Sequence, residues 1–199
     1  MRTLVLGGAR SGKSGWAESL YDAHAHPCAD YIATARPWPG ADDFDPDFAA
    51  RIDGHRRRRP AHWRTVDDVD AVEALRRPTA DFVLLDDVGT WLTGVLDREQ
   101  LWDSPRGSVA PWANDLVSAV RDWAPGENRG GGVRGGVVKQ EAGPGPQLVV
   151  VTPEVGMGVI PEHRSGRLFR DEIGLLNGRL AEVCDQVVLV IAGVPLRLK

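Results

Sequence analysis

The stretch Gly7-Gly8-Ala9-Arg10-Ser11-Gly12-Lys13-Ser14 decides the fold of this chain of 199 residues. It matches the phosphate-binding pattern G-x-x-x-x-G-K-[ST] and follows an apolar run at residues 3–6, so it lies between a predicted strand and a predicted helix. The glycines of such a loop let backbone N–H groups converge on phosphate oxygens, while the lysine reaches the β- and γ-phosphates. We therefore predict a nucleoside triphosphate site in which Lys13 contacts phosphate and the Ser14 hydroxyl ligates Mg2+.

Short apolar runs alternate with helical patterns along the rest of the chain. The predicted strands cover residues 3–6, 31–33, 82–85, 148–151 and 187–191. After the glycine loop, apolar residues at helical spacing predict an amphipathic helix that reaches Tyr21, and a second helical pattern runs from Phe169 to Val183. This alternation predicts a single α/β domain over residues 1–199 with a P-loop NTPase-like (RecA-like) fold, in which helices flank a mostly parallel sheet.

The composition argues against nucleic-acid-binding, membrane and secreted classes. A formal net charge of -4 and a pI near 5.7 provide no global attraction to nucleic acid or to an anionic membrane. Cys28 and Cys184 are too few for a disulfide scaffold and suit a reducing compartment. The chain has no apolar run of about 18 to 20 residues, and its first residues lack the apolar segment of a signal peptide. We therefore expect a cytoplasmic protein without a membrane span or a nucleic acid partner.

A segment rich in glycine and proline occupies about residues 125–146. It includes Gly130-Gly131-Gly132 and Gly143-Pro144-Gly145-Pro146, and it offers few side chains that can pack in a core. We predict a flexible surface insertion, since loop closure entropy grows only slowly with loop length. The alternative is a functional lid that a ligand or a partner orders.

Two acids, Asp86 and Asp87, follow the apolar run at residues 82–85. A phosphate-binding loop usually works with a carboxylate at the end of a neighbouring strand, which holds the metal directly or through water. We assign this role to Asp86 because it follows the apolar run directly, and we keep Asp87 as the second candidate. The structural alternative is that these acids only cap a helix or a turn.

A histidine stands beside a run of arginines. His55 is predicted to lie near the end of a helix that begins with Asp45 as its N-cap and stops at Pro60. The arginines that follow it are Arg56, Arg57, Arg58 and Arg59. Guanidinium groups match phosphate oxygens and stabilise charge during phosphoryl transfer, and a neutral histidine can attack phosphorus as a nucleophile. The alternatives are a packing histidine beside a solvated charge run, or a nucleic-acid-binding arm, although no aromatic residues interleave with the arginines.

Several stretches of the sequence carry a family resemblance. The most discriminating are Glu154-Val155-Gly156-Met157-Gly158 and the R-I-x-x-H-R segment at residues 51–56. Other matching stretches lie at residues 7–14, 31–35, 59–65, 90–93, 169–171, 176–181 and 188–196. Along nearly its whole length the chain resembles the bifunctional adenosylcobinamide kinase and adenosylcobinamide-phosphate guanylyltransferase family of cobalamin biosynthesis.

The resemblance implies two reactions on one corrinoid. A γ-phosphoryl group passes from ATP or GTP to adenosylcobinamide. A histidine, which is His55 by motif position, then attacks the α-phosphorus of GTP, releases pyrophosphate and passes the guanylyl group to adenosylcobinamide phosphate. The resemblance also implies GTP and ATP as substrates with Mg2+, no tightly bound organic cofactor, and a homo-oligomer for which the family suggests a trimer.

The family's nucleotide contacts map onto the phosphate-binding loop and onto residues beyond it. The loop residues are Gly7, Gly8, Ala9, Arg10, Ser11, Gly12, Lys13 and Ser14. The others are Ala33, Thr34, Ala35, Arg56, Arg57, Arg58, Arg59, Asp67 and Asp86. Asp67 stands where the family would have glutamate, and Pro153, Gly94 and His163 stand where it often has asparagine. We connect the last three changes with the corrinoid rather than with the nucleotide.

Two other functions remain compatible with these residues. The first is a P-loop kinase of another small alcohol, in which His55 only packs or contacts phosphate. The second is a nucleotide-gated regulatory binding protein whose insertion at 125–146 engages a partner. Covalent labelling of His55 separates the first from the bifunctional enzyme, and protease protection of the insertion in the absence of turnover favours the second.

Overall fold

The computed structural model describes residues 1–35, 54, 59–124 and 145–199. Most of the predicted helix between Asp45 and Pro60 lies outside these residues, and so does the predicted insertion at 125–146 apart from its last two positions. Within the described residues, seven strands form one sheet and five helices pack against it.

The sheet is mostly parallel, as predicted. Its strands are β1 (Arg2–Gly7), β2 (Ala29–Ala33), β3 (Trp63–Val66), β4 (Phe82–Asp86), β5 (Gln147–Pro153), β6 (Gln186–Ile191) and β7 (Val194–Arg197). Their order is β3-β2-β4-β5-β1-β6-β7, and every pairing is parallel except that of β6 with β7. All five strands predicted from the sequence are confirmed. The edge strands β3 and β7 have no counterpart among them, because exposed residues interrupt or replace a buried apolar run in both.

Five helices flank the sheet, and two of them, the first and the last, were predicted from the sequence. They are α1 (Lys13–Glu18), α2 (Ala71–Arg76), α3 (Val88–Arg98), α4 (Ala110–Arg121) and α5 (Arg164–Val183). The helix predicted from Phe169 to Val183 is confirmed by α5, which begins five residues earlier at Arg164, and α1 follows the glycine loop as predicted. The extension of α1 to Tyr21 is wrong, because the N–H groups of Leu20 and Tyr21 bond to carbonyls three residues back, at 3.3 and 3.2 Å. Both side chains still pack against the core.

Residues of the central strands alternate between two apolar layers, which explains why these strands are apolar throughout. Leu4 of β1 and Leu85 of β4 face the layer that α2, α3, α4 and α5 cover. Val5 and Leu84 face the other layer, against which α1 packs. All four side chains are completely buried. Burial on both sides fixes the register of the strands, since a slip of one residue would exchange the two layers.

The carboxyl ends of the parallel strands share one edge of the sheet. β5 lies between β4 and β1, with Asp86 opposite Val151 and Gly7 opposite Pro153. Ala33, at the end of β2, pairs with Asp86. Open α/β sheets bind ligands outside the carboxyl ends of their strands. The fold thus brings the glycine loop, Asp86 and the residues around Ala33 to the edge where a ligand is expected.

A buried carboxylate fixes β2 near its amino end. Asp30 is 3% exposed, and it accepts hydrogen bonds from the backbone N–H groups of Thr79 at 2.8 Å and Ala80 at 3.1 Å. The Thr79 hydroxyl donates to it at 2.9 Å, and the Arg64 guanidinium also donates at 2.9 Å. These contacts tie β2 to β3 on one side and to the segment that leads into β4 on the other.

Replacement of Asp30 by alanine should lower the free energy of unfolding by about 3 kcal/mol, because the buried N–H groups of residues 79 and 80 lose their acceptor. The matched control is Asp115→Ala, which removes an exposed carboxylate from a 3.5 Å pair with Arg76. That control should cost less than about 0.5 kcal/mol. Urea denaturation followed by tryptophan fluorescence measures both values, and equal effects would contradict a structural role for Asp30.

Candidate nucleotide-binding site

The loop from Gly7 to Ser14 joins β1 to α1 with two residues in the left-handed region of backbone space. Arg10 has a φ of 56° and Gly12 has a φ of 90°. Gly7 has no room for a side chain, since a Cβ there would lie 2.9 Å from the carbonyl oxygen of Val190 in β6. Glycine at position 7 therefore permits the close approach to β6. Glycine at position 12 permits a left-handed turn that other residues would resist.

The turn between β6 and β7 packs against this loop and holds it in place. The N–H of Gly193 donates to the carbonyl of Ser11 at 2.8 Å, and a Cβ added at Gly12 would lie 3.3 Å from the Cα of Gly193. Ala192 and Gly193 have φ angles of 52° and 81°, as the two central residues of a tight hairpin turn require. This support was not predicted from the sequence. The available signal was Gly193, which stands between the apolar residues at 187–191 and those at 194–196.

Two polar groups of the loop are buried with few partners. Lys13 is 5% exposed, and its ammonium donates to the carbonyl of Gly8 at 3.5 Å, the long limit for a hydrogen bond. The Ser11 hydroxyl is buried and finds no hydrogen-bond partner within the described part of the chain. Buried cations and hydroxyls are costly unless a complementary group pairs with them. Phosphate oxygens are complementary to both groups.

Asp86 contacts the loop directly. Its Oδ1 accepts a hydrogen bond from the Ser14 hydroxyl at 3.2 Å, and its Oδ2 accepts one from the Tyr31 hydroxyl at 2.7 Å. A carboxylate and a hydroxyl at this separation are oxygen ligands of the kind that Mg2+ takes, with phosphate and water completing its shell. The residues present therefore fit a magnesium ion.

Thr34 joins the ends of β2 and β4. Its hydroxyl donates to the carbonyl of Asp87 at 2.8 Å and accepts from the N–H of Asp87 at 2.9 Å. Its own N–H donates to the carbonyl of Asp86 at 3.3 Å. The Asp87 carboxylate caps α3 by accepting from the N–H of Thr90 at 2.7 Å. Of the two acids, Asp86 is thus the one that contacts the phosphate-binding loop.

Tyr31 connects Asp86 with Arg59, the part of the arginine run that the structure describes. The guanidinium carbon of Arg59 lies 3.5 Å from the centre of the Tyr31 ring, which is a cation–π contact, and Arg59 also donates to the Thr65 hydroxyl at 3.0 Å. Burial first, and the charge of Asp86 second, raise the pKa of Tyr31 above its ordinary value, so its hydroxyl stays protonated. The sequence predicts for Tyr31 a place in a strand and in a stretch with family resemblance, but no contact within the site. The available signal for such a contact was the hydroxyl that Tyr31 carries in an otherwise apolar run.

Most of the site residues within the described ranges lie at one edge of the sheet. Ala33, Thr34 and Ala35 end or follow β2, Asp67 follows β3, Asp86 ends β4, and the glycine loop follows β1. Asp67 is exposed, and its strand is two places from β4 in the sheet order. The predicted site residues His55, Arg56, Arg57 and Arg58 lie outside the described residues.

The described residues contain no preformed metal cluster. In those ranges, no group of three or more histidine, cysteine, aspartate or glutamate side chains could hold a metal ion. Mg2+ needs no such group, since one or two protein oxygens and substrate phosphates commonly hold it. No helix in the same residues has the length and apolar character to cross a membrane.

The sequence matches a known protein family over nearly its whole length. Residues 3–198 match the family model described as cobinamide kinase / cobinamide phosphate guanyltransferase. The chain belongs to this family. It is therefore a transferase of cobalamin biosynthesis that uses nucleotide substrates, and the family resemblance stated from the sequence is confirmed.

Relatives from two bacteria align with the chain end to end. The bifunctional adenosylcobalamin biosynthesis protein CobP of Pseudomonas aeruginosa is 35% identical over 204 residues, which cover 100% of this chain and 98% of the relative. The bifunctional adenosylcobalamin biosynthesis protein CobU of Salmonella typhimurium is 35% identical over 212 residues, which cover 100% of both. The similarity of this member of the cobinamide kinase / guanyltransferase family to these two relatives is thus not confined to the phosphate-binding loop.

A solved structure supports the fold alone. It is a prototypical ATPase from the type III secretion system of pathogenic bacteria, and it matches with a TM-score of 0.50 at 9% sequence identity. The match covers 94% of this chain and 50% of that chain. The cobinamide kinase / guanyltransferase chain thus shares the α/β P-loop architecture predicted from its sequence.

Gly7→Ala should lower the free energy of unfolding by about 1 to 3 kcal/mol, because the added Cβ meets the backbone of Val190. Gly8→Ala is the matched control, since a Cβ at Gly8 has nothing within 4 Å. The control should change stability by less than about 0.5 kcal/mol. Urea denaturation without nucleotide measures both, and a Gly7 variant as stable as the Gly8 variant would show that the close approach to β6 is unimportant.

Proposed function

We propose that this chain phosphorylates adenosylcobinamide and then guanylylates the product, with ATP or GTP as phosphoryl donor, GTP as guanylyl donor and Mg2+ as the metal. The contact of Ser14 with Asp86, beside the buried ammonium of Lys13, carries this proposal in a chain of the cobinamide kinase / guanyltransferase family. The products are adenosylcobinamide phosphate and then adenosylcobinamide-GDP with pyrophosphate.

In the kinase step, the loop from Gly7 to Ser14 holds the triphosphate through its backbone N–H groups and the ammonium of Lys13. Ser14 and Asp86 would hold Mg2+, which when bound neutralises charge on the β- and γ-phosphates. The acceptor hydroxyl forms a bond to the γ-phosphorus and loses its proton. The bond from that phosphorus to its bridging oxygen breaks, and the nucleoside diphosphate leaves.

In the guanylyl step, His55 is the nucleophile. A ring nitrogen forms a bond to the α-phosphorus of GTP, and the bond to pyrophosphate breaks with its electrons on the leaving group. A phosphate oxygen of adenosylcobinamide phosphate then forms a bond to the same phosphorus and releases His55. A direct substitution would bring two anionic substrates together in one step. The intermediate replaces it with two simpler steps. The groups that neutralise the triphosphate are Arg56, Arg57, Arg58 and Arg59.

Arg59 supports the assignment of His55. Arg59 lies against Tyr31, whose hydroxyl contacts Asp86, so the arginine run ends at the nucleotide site. His55 precedes Arg59 by four residues, a length that a fully extended chain spans in at most about 14 Å. We assign the remaining nucleotide contacts to Ala33, Thr34, Ala35 and Asp67, which follow the ends of the neighbouring strands.

His55→Asn should abolish covalent labelling by GTP that carries radioactive phosphorus at the α-position, because asparagine lacks the attacking ring nitrogen. The protein is incubated with labelled GTP and Mg2+, denatured, and tested for label that acid releases and alkali does not. His62→Asn is the matched control, since His62 is an exposed histidine whose ring contacts the Tyr21 hydroxyl at 2.8 Å. Label that persists in His55→Asn, or no label on a parent that binds GTP, would contradict the assignment.

We also propose a homo-oligomer, with a trimer as the expected state. Large apolar side chains remain exposed at the edge formed by β6 and β7, with Val194 at 66%, Leu196 at 54% and Leu198 at 55%. An exposed apolar edge strand is commonly covered by another chain, because it otherwise invites aggregation. A second copy of this chain would bury these side chains.

Leu196→Glu should reduce the molar mass in solution, because a charge at this edge opposes burial against another copy. Light scattering of the parent should give a mass near three times the chain mass of 21.6 kDa. The matched control is Leu175→Glu, which places the same charge at an exposed apolar position of α5. A monomeric parent would contradict the proposed oligomer. An unchanged mass of the Leu196 variant would contradict the proposal that the edge formed by β6 and β7 is the contact between copies.

We propose a cytoplasmic location. Cys28 and Cys184 are free thiols, which is the state that a reducing compartment maintains. Cell fractionation with detection of the chain tests this location, and recovery outside the cytoplasm would contradict it.

A further inference from the structure

Tyr31 stands between two parts of the site. In β2 it pairs with Thr65 of β3 on one side and with Leu84 of β4 on the other. Asp86 lies two residues beyond Leu84, so its side chain is on the same face of the sheet as that of Tyr31. With 4% of its surface exposed, Tyr31 is held by the surrounding core, and its hydroxyl extends toward the edge that carries the site.

The two oxygens of the Asp86 carboxylate have different hydroxyl donors. Tyr31 donates to Oδ2 at 2.7 Å, and Ser14 donates to Oδ1 at 3.2 Å. A carboxylate that is anchored through one oxygen cannot turn freely about its terminal bond, so the direction of the other oxygen is fixed. Hydrogen bonds of this kind orient metal-binding carboxylates in many sites, and their loss lowers metal affinity or activity.

The ring of Tyr31 serves a second contact. The guanidinium carbon of Arg59 lies 3.5 Å from the ring centre, and a hydrogen bond of 3.0 Å to the Thr65 hydroxyl also holds this guanidinium. A guanidinium on an aromatic face keeps its N–H groups directed outward, where they can bind phosphate in a fixed geometry. One buried side chain thus touches both the acid of the site and an arginine of the run.

We propose that Tyr31 is a positioning residue. Its hydroxyl orients Asp86 for magnesium binding, and its ring holds Arg59 in position to bind the triphosphate. The inference rests on the proposed function, because it takes Ser14 and Asp86 as the pair that holds the metal. In this proposal, one residue of β2 fixes the position of Arg59 relative to the metal-binding pair of Ser14 and Asp86.

The test of the hydroxyl compares Tyr31→Phe with Tyr21→Phe. Both substitutions remove one hydroxyl and keep the ring, and both rings lie near Trp63, with centroids 6.4 and 5.1 Å away. The Tyr21 hydroxyl donates to the carbonyl of His26 at 2.7 Å and not to Asp86. Calorimetry measures the dissociation constant of GTP with Mg2+ and with EDTA. A kinase assay measures the Mg2+ concentration that gives half-maximal phosphorylation of adenosylcobinamide.

Tyr31→Phe should raise the half-maximal Mg2+ concentration about 10-fold and reduce the tightening of GTP binding by Mg2+ by a similar factor. Its affinity for GTP in EDTA should stay close to that of the parent, since Arg59 keeps its aromatic contact. Tyr21→Phe should change neither quantity. An unchanged magnesium dependence of Tyr31→Phe, or equal changes in the two variants, would overturn the proposal.

Asp86→Asn separates this inference from the proposed function. If Tyr31 acts through Asp86, Tyr31→Phe has no further effect on magnesium dependence in the Asp86→Asn background, so the two effects are not additive. Additive effects would overturn the inference and leave the metal site intact. If Asp86→Asn alone leaves the magnesium dependence of GTP binding unchanged, the proposed metal site is wrong, and the role of Tyr31 at that site is wrong with it.

Tyr31→Leu and Arg59→Gln test the ring. Each should weaken GTP binding in EDTA about 5-fold, because the first removes the surface that seats the guanidinium and the second removes the guanidinium itself. The double variant should bind no more weakly than either single variant. Arg59→Gln keeps Tyr31 in the core, so it remains informative if Tyr31→Leu is unstable. Unchanged GTP affinity of Arg59→Gln would overturn this part of the proposal.

Discussion

The register of β4, β5 and β1 is the constraint on which the site depends. Asp86 and Gly7 pair with residues of β5 that are two positions apart, so the glycine loop begins roughly 7 Å farther along the sheet than the acid. The loop must return over that distance and across two strand spacings, roughly 10 Å, before Ser14 can reach Asp86. A slip of one residue in either pairing would turn the acid to the opposite face of the sheet.

Burial leaves two polar groups of the loop without full hydrogen bonding. Lys13 and the Ser11 hydroxyl lose contact with water in the folded chain, and hydrogen bonds within the described residues satisfy them only in part. A buried polar group that lacks a partner costs about 1 to 3 kcal/mol. Phosphate oxygens would offset that cost on binding. Nucleotide bound at this loop would stabilise the folded chain by mass action, as any ligand of the native state does.

Local patterns predicted much of the fold and part of the site. The glycine loop, the five central strands and Asp86 follow from residues that are neighbours in sequence. The contact of Tyr31 with Asp86 and that of Gly193 with the loop could not be predicted in this way, because they depend on which strands pair and in which register. The end of α1 was mispredicted for a different reason. Leu20 and Tyr21 continue the helical apolar pattern, but a tighter turn also packs them, partly buried, against the core.

Two acids of the β2–β4 pair show how the donors around a carboxylate decide its use. Asp30 accepts from two backbone N–H groups, from a guanidinium and from the Thr79 hydroxyl, and the nitrogens among these donors can only donate, so most of its contacts serve only to hold it in place. Asp86 accepts from the hydroxyls of Ser14 and Tyr31, and a hydroxyl oxygen also has lone pairs. The Ser14 hydroxyl can rotate its hydrogen away and present its oxygen to a cation, while the buried Tyr31 hydroxyl keeps the carboxylate directed at the same point. The same residue type is thus structural at one end of the strand pair and suited to metal binding at the other.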